Sequence, residues 1–388
     1  MMAFRVGLLI HSPDNSGNQL LDGIVQYVRL NPHWNAEYTA WWRPKRLADF
    51  LGLDGIIIRP SQNLPIRLVT NLSIPVVDVS SSHRKLSHIP RVGVDNVTVG
   101  RVGARHFLDR GHKNLAFVGR TKLVFARHRS QGFEQVAQDA GANVFFFKSS
   151  GRLWGWSRES VLGPIAQWLK TLPRPLGVMA DSDNTARLVL EACRGHLRVP
   201  EEIAVIGVDN DDHLCELSTP ALSSIALDLQ RVGFRAASLL EELMNGGKAA
   251  RDPLYLPPGE LHVRRSSDVF AVQDQVVANA MRYIQDNAHE GLTVRNICRH
   301  VMTAPRSLEL RFRQAIGRSP REEIRLARIR LAKKLLATPI SIASVAAKVG
   351  FSSQSRFGFL FKQDTGMSPL TYRRQLHEGR EAARKSRK

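Results

Sequence analysis

Cysteine is nearly absent: Cys193, Cys215 and Cys298 are the three in 388 residues, isolated and odd in number. That argues against a secreted disulfide scaffold, and the spacing fits no metal site. Long apolar runs are missing too. The opening MMAFRVGLLIH is far shorter than a bilayer-spanning helix, and polar residues follow it rather than a small-residue cleavage site. The expectation is a cytoplasmic, nucleoid-associated protein without membrane contact. Catalytic signatures are equally scarce. No GxGxxG or GxxxxGK[ST] follows the first strand, and neither HExxH nor GxSxG occurs. The histidines are scattered rather than paired at helical spacing. These absences predict a protein that is not an enzyme and needs no metal or cofactor.

Acidic residues are the other shortage, 35 Asp+Glu against 55 Lys+Arg, for a formal charge of +20. The excess is uneven. Residues 271–388 hold 23 basic and nine acidic residues, whereas the first 270 hold 32 and 26. A basic last third suits a polyanionic partner. Hydrophobic residues make up 43% of the chain, enough for ordinary cores, and the length suggests two or three domains.

The first 265 residues alternate short apolar runs with helical patterns. Strands are predicted at Arg5–His11, Asp54–Arg59, Val76–Val79, Asn114–Val118, Leu176–Ala180 and Ile203–Val208. Helices are predicted at Asn18–Leu30, Asn96–Arg110 and Asn184–Arg194. Such alternation implies parallel sheets covered on both faces, with ligands at the carboxyl ends of the strands. The candidate ends are His11–Asp14, Asp78–Ser82, Asp95–Asn96, Gly119–Arg127, Asp181–Asp183 and Asp209–Asp212. Carboxylates, amides and an arginine suit a polyhydroxylated ligand, because each carboxylate accepts several hydroxyl donors. Trp154 and Trp156 either stack on a sugar ring or pack between domains.

The stretch PRVGVDNVTVGRVGARHFLDRGHKNLAFVG at Pro90–Gly119 resembles the LacI-type sugar-binding regulatory domain, itself similar to periplasmic sugar receptors. ARHRSQGF at Ala126–Phe133, MADSDNTARLVL at Met179–Leu190 and VPEEIAVIGVDN at Val199–Asn210 follow in the same order. The resemblance covers about residues 4–265. It implies two α/β lobes with ligand in the cleft between them, held by Arg127, Asp183 and Asp209; Trp154 joins them as a ligand candidate on its residue type alone.

Helical spacing dominates the last 118 residues. Helices are predicted at Val272–Ala288, Val294–Val301, Pro305–Ile316, Pro320–Leu336, Ile342–Val349, Gln354–Thr365 and Pro369–His377. The region repeats: FRQAIGRSP at Phe312–Pro320 returns as FKQDTGMSP at Phe361–Pro369, 49 residues later. Each copy is a short helix, a tight turn and a longer helix, the helix-turn-helix arrangement whose second helix enters a major groove. Leu308, Phe312, Phe357 and Phe361 are expected in the cores.

KVGFSSQSRFGFLFKQDTGMSPLTYRR at Lys348–Arg374 and IRLARIRLAKKLLATPISIASVAA at Ile324–Ala347 resemble the AraC/XylS-type DNA-binding domain. Two departures stand out. Met302 occupies a usual turn-glycine position, so that turn is expected not to use positive φ freely. Leu310 and Phe359 stand where arginines often read bases. The exposed candidates for base contact are then Arg306, Ser307 and Glu309 in the first unit, and Gln354, Ser355 and Arg356 in the second. Arg313 and Lys362 are expected on phosphates.

The predicted domains are 1–268 (the sensor), 269–378 (the DNA-binding domain) and 379–388 (a flexible basic tail). A sensor placed before the DNA-binding domain is similar to bacterial regulators of xylose catabolism. That resemblance implies a homodimeric activator on operator DNA, answering to D-xylose and acting with RNA polymerase. Another sugar, a repressor, a ligand-blind DNA-binding protein and a sugar-modifying enzyme remain open alternatives.

Overall fold

A computed structural model describes residues 3–10, 15–38, 47–59, 69–80, 89–147, 158–248, 252–272, 274–289, 291–336 and 338–374. Strands β1 (Phe4–Ile10), β2 (Trp34–Tyr38), β3 (Gly55–Arg59) and β4 (Val76–Asp78) form a parallel sheet in the order β2-β1-β3-β4. The central runs GLLI and GIII are buried along their whole length, as in a parallel sheet covered on both faces. A bridge from Asp78 to Arg91 leads to β5 (Val92–Val94), which pairs in parallel with a strand from much later in the chain, Leu254–Leu256. Helix α1 (Asn15–Leu30) belongs to this first lobe.

The second lobe is built on β6 (Asn114–Val118), β7 (Asn143–Phe146), β8 (Leu176–Ala180), β9 (Ile203–Asp209), β10 (Ser223–Ala226) and β12 (Leu261–His262), the Leu254–Leu256 strand that pairs with β5 being β11. Its six-stranded sheet runs β12-β10-β9-β8-β6-β7, parallel except for β12. The helices are α2 (Asn96–Asp109), α3 (Val124–Asp139), α4 (Arg158–Thr171), α5 (Asp183–Cys193) and α6 (Asp212–Glu216). Helix α7 (Leu229–Met244) returns to pack on α1 and on the first sheet. The chain thus crosses between lobes three times: β5 to α2, β10 to α7 and β11 to β12.

Glycine makes the closest helix contacts. A Cβ at Gly100 would lie 1.9 Å from the Arg129 carbonyl oxygen, and one at Gly132 would lie 2.0 Å from that of Val97. These reciprocal glycines let α2 and α3 meet backbone to backbone. Gly23 and Gly233 do the same for α1 and α7.

The chain divides into two compact units between Asp268 and Val269. The second is all helical: α8 (Gln275–Asn287), α9 (Val294–His300), α10 (Pro305–Ile316), α11 (Pro320–Leu336), α12 (Ile342–Lys348) and α13 (Gln354–Thr365), with residues 369–374 also helical. It has two cores. Leu308 and Phe312 pack with Val277, Ile284 and Ile297, while Phe357 and Phe361 pack with Leu336, Val345 and Val349. Helix α11 serves both, giving Ile324 and Ala327 to the first and Ile329, Ala332 and Leu336 to the second.

The repeated GxSP motif has a physical explanation. Gly317 and Gly366 end α10 and α13 in the left-handed conformation, at φ 73° and 79°. Ser319 then accepts from the Glu322 N–H at 3.2 Å, and the Glu322 carboxylate accepts from the Ser319 N–H at 2.7 Å. That is a capping box, with Pro320 at the first helical position. In the second copy Ser368 accepts from the Thr371 N–H at 3.1 Å.

Candidate effector cleft and DNA-facing helices

The strand ends of the second lobe bring together a buried arginine and several carboxylates. Arg129 is 3% exposed. Its Nε donates to Asn96 Oδ1 at 2.9 Å and its Nη1 donates to the Asp181 carbonyl. The guanidinium lies 4.9 Å from the Phe125 ring centroid. Burial lowers its pKa, and the Asp209, Asp181 and Asp183 carboxylates oppose that shift, Asp209 most strongly. Asn96 begins α2 where the chain enters the second lobe, beside Asp95, which caps that helix through the Thr98 N–H.

Asp209 closes β9 with φ 114°, and Asn210 follows at φ 47°. Two successive non-glycine residues at positive φ cost of order 1–3 kcal/mol each, and such strain concentrates at functional sites. The turn is anchored beyond them: the Asn210 N–H donates to Ser224 Oγ at 3.0 Å, and Arg264 Nη1 donates to Asn210 Oδ1 at 2.9 Å.

Asp183 is buried, and its oxygens are engaged within the lobe. They accept from Ser224 Oγ at 2.5 Å, the Asp211 N–H at 2.9 Å and Cys215 Sγ at 3.6 Å. Burial raises its pKa to about 6, against the lowering effect of these donors. Asp183 therefore ties α5 to the turn after β9. Asp181 is similarly occupied by Arg120 and Thr185.

Arg127 lies on the exposed side of α3. The inward stripe of that helix is Ala126, Arg129, Ser130, Phe133 and Ala137, so the arginine brought to Asp209 is Arg129. The sequence carried that signal as an i, i+3, i+4, i+7 series. In the first lobe, Asp78 and Arg91 form a buried ion pair at 2.7 Å, and the buried Ser80 hydroxyl has no hydrogen-bond partner among the described residues. Trp154, Trp156, His11–Asp14 and the tail 379–388 lie outside the described residues.

The helical unit exposes Arg306, Ser307, Arg313, Gln354, Ser355, Arg356 and Lys362. Glu309 is partly exposed and pairs with Arg313 one turn later at 3.4 Å. Arg356 lines a cavity of about 920 Å³ with Arg295, Arg321, Arg325 and Arg328, a basic recess between the two helix-turn-helix units. Leu308, Phe312, Phe357 and Phe361 are fully buried. The expectation for Met302 is corrected: it adopts φ 48°, and because its side chain is 93% exposed the strain is confined to its own Cβ and adjacent backbone.

Comparison with known proteins matches residues 104–267 to the family described as periplasmic binding protein-like domain, and residues 297–375 to a helix-turn-helix domain. The xylose operon regulatory protein of Haemophilus influenzae is 28% identical over 95% of this chain and 98% of its own length. A solved structure of the xylose-binding transcription activator XylR covers 96% of this chain and 98% of its own, with TM-score 0.62 and 25% identity. A periplasmic binding protein/LacI transcriptional regulator from Alkaliphilus metalliredigens, complexed with D-xylulofuranose, shares the fold. It covers 68% of this chain and 99% of its own at TM-score 0.54 and 20% identity.

These matches correct the AraC/XylS assignment. The family-level likenesses fall in the LacI/periplasmic-binding-protein superfamily, and the last domain matches simply as helix-turn-helix. The reason lies in proportion: the α/β module occupies most of the chain. Among the described residues, no group of three or more His, Cys, Asp or Glu could hold a metal, and no helix is long and apolar enough to cross a membrane. A periplasmic-binding-protein-like α/β domain thus precedes an all-α domain with helix-turn-helix motifs, and the chain is a close match to xylose operon regulatory proteins along nearly its whole length.

Proposed function

We propose that this protein is a sugar-responsive regulator of transcription that binds D-xylose in its first unit and operator DNA with its second. It is a regulator and not an enzyme. The observation carrying the effector site is Asp209, held in a strained conformation beside the buried Arg129. A carboxylate accepts from sugar hydroxyls, and a guanidinium donates to the hydroxyl and ring oxygens. Arg129 also holds Asn96 where the chain crosses between lobes, so a ligand drawing on Arg129 acts on the crossing itself. Arg127 and Trp154 are secondary candidates, and Asp183 supports the turn that presents Asp209. Xylose as the effector rests on likeness to the xylose regulators.

In the DNA-binding domain, α10 and α13 are the reading helices, with Arg306, Ser307, Glu309, Gln354 and Ser355 near the bases. Arg313, Lys362 and Arg356, the last beside the basic recess, suit phosphates. A homodimer in the cytoplasm acting with RNA polymerase completes the reading. Calorimetric titration with aldopentoses and aldohexoses tests the effector: D-xylose is expected to bind most tightly, and heat from another sugar alone would reassign it.

A further inference from the structure

Among the described residues of the helical unit few large apolar side chains are exposed, and two of them occupy one repeated position. Leu310 is 58% exposed and Phe359 is 71% exposed, 49 residues apart. Leu310 stands two residues from each of the core residues Leu308 and Phe312, and Phe359 stands two from Phe357 and Phe361. At 100° per residue, that spacing points both side chains directly away from their cores. Each is the crest of its helix's outer face. One turn before and after lie exposed polar or cationic residues: Arg306, Arg313 and Gln314 around Leu310, and Ser355, Arg356 and Lys362 around Phe359.

An apolar crest between cations fits one surface well. The floor of a DNA major groove offers an apolar group, the thymine C5-methyl, between walls of phosphate. We infer that Leu310 and Phe359 read thymine methyl groups, one in each of two major grooves, at the centre of each recognition helix. This rests on the DNA-binding reading above and adds to it a base identity and the residues that select it. An acidic protein surface would also accept cations, yet the duplicated crest calls for a partner that itself repeats, as successive grooves do.

The full chain can be used to select duplexes from a random double-stranded pool. Thymines in the selected site are then replaced one at a time by deoxyuridine, which removes the methyl and leaves the pairing edge intact. At least one such position in each groove should weaken wild-type binding about fourfold, the worth of one buried methyl. Leu310→Ala should abolish the sensitivity in one of the two grooves that each chain contacts, and Phe359→Ala in the other. If the selected duplex outcompetes random DNA yet no deoxyuridine changes affinity, the methyl assignment is overturned while DNA reading stands. If no duplex is enriched, both are overturned. If either alanine variant changes only the oligomeric state, the crest is a contact between copies and the inference is wrong.

Discussion

Asp209 and Arg129 concentrate the residue-scale claims. Asp209→Ala should weaken sugar binding by roughly 1–3 kcal/mol without unfolding the domain, because only a partly exposed carboxylate is removed. Titration calorimetry checks this, and unchanged affinity in a folded variant would take Asp209 out of the site. Asp183 makes a different prediction. Its folded pKa of about 6 stands above the ordinary 3.8, so the folded state holds the proton more tightly. Its contribution is fully present below about pH 4 and is lost as pH rises through 6. Asp183→Asn should therefore gain on the wild type, by something on the order of 2–3 kcal/mol, between pH 4 and pH 6. Urea melts at several pH values measure that difference; a constant difference would show that Asp183 does not titrate there. Residue identity was legible only in part. The sequence pointed to the segment ARHRSQGF, but choosing between Arg127 and Arg129 required knowing which face of α3 is inward. The stripe Ala126, Arg129, Phe133 and Ala137 contained that answer. The engagement of Asp183 could not be read locally, since its partners Ser224 and Cys215 lie 41 and 32 residues away.

Elements were more legible where one periodicity ruled. The sequence placed α10, α11 and α13 at the bounds the structure shows, because Pro and Gly mark their ends. Strands β2 and β7 went unnamed: both are edge strands of mixed exposure, so neither presents an apolar run. The turn before α10 supplies a stability test. Met302 holds φ 48° with an exposed side chain, so Met302→Gly relieves strain and loses no packing. The variant should be about 1 kcal/mol more stable in thermal melting, and an unchanged or lower Tm would contradict the strain. The α2–α3 contact gives the opposite sign. Gly132→Ala forces a Cβ against the Val97 carbonyl and should destabilise the first unit by roughly 1–3 kcal/mol or more. Sugar affinity should fall with it, because Asn96 and Arg129 straddle that contact.

At the scale of the molecule, composition and order foretold two modules, and the backbone divides at Asp268. Each unit carries its own cores, so fragments 1–268 and 269–388 should fold separately, the second showing helical circular dichroism and DNA binding that falls steeply with salt. Arg313→Ala or Lys362→Ala should lower the salt slope by about 1 without altering base preference. What the sequence could not convey is how occupancy of the cleft reaches the reading helices, since that depends on the three crossings between lobes. The claim that one chain couples a sugar to DNA has a direct test: the affinity of the full chain for its selected duplex, by fluorescence anisotropy, with and without saturating D-xylose. The account predicts a shift of about 5-fold or more with xylose, collapsing in Asp209→Ala, as a coupling of 1–3 kcal/mol requires. Equal affinity with and without xylose, in a protein that binds both, would contradict it.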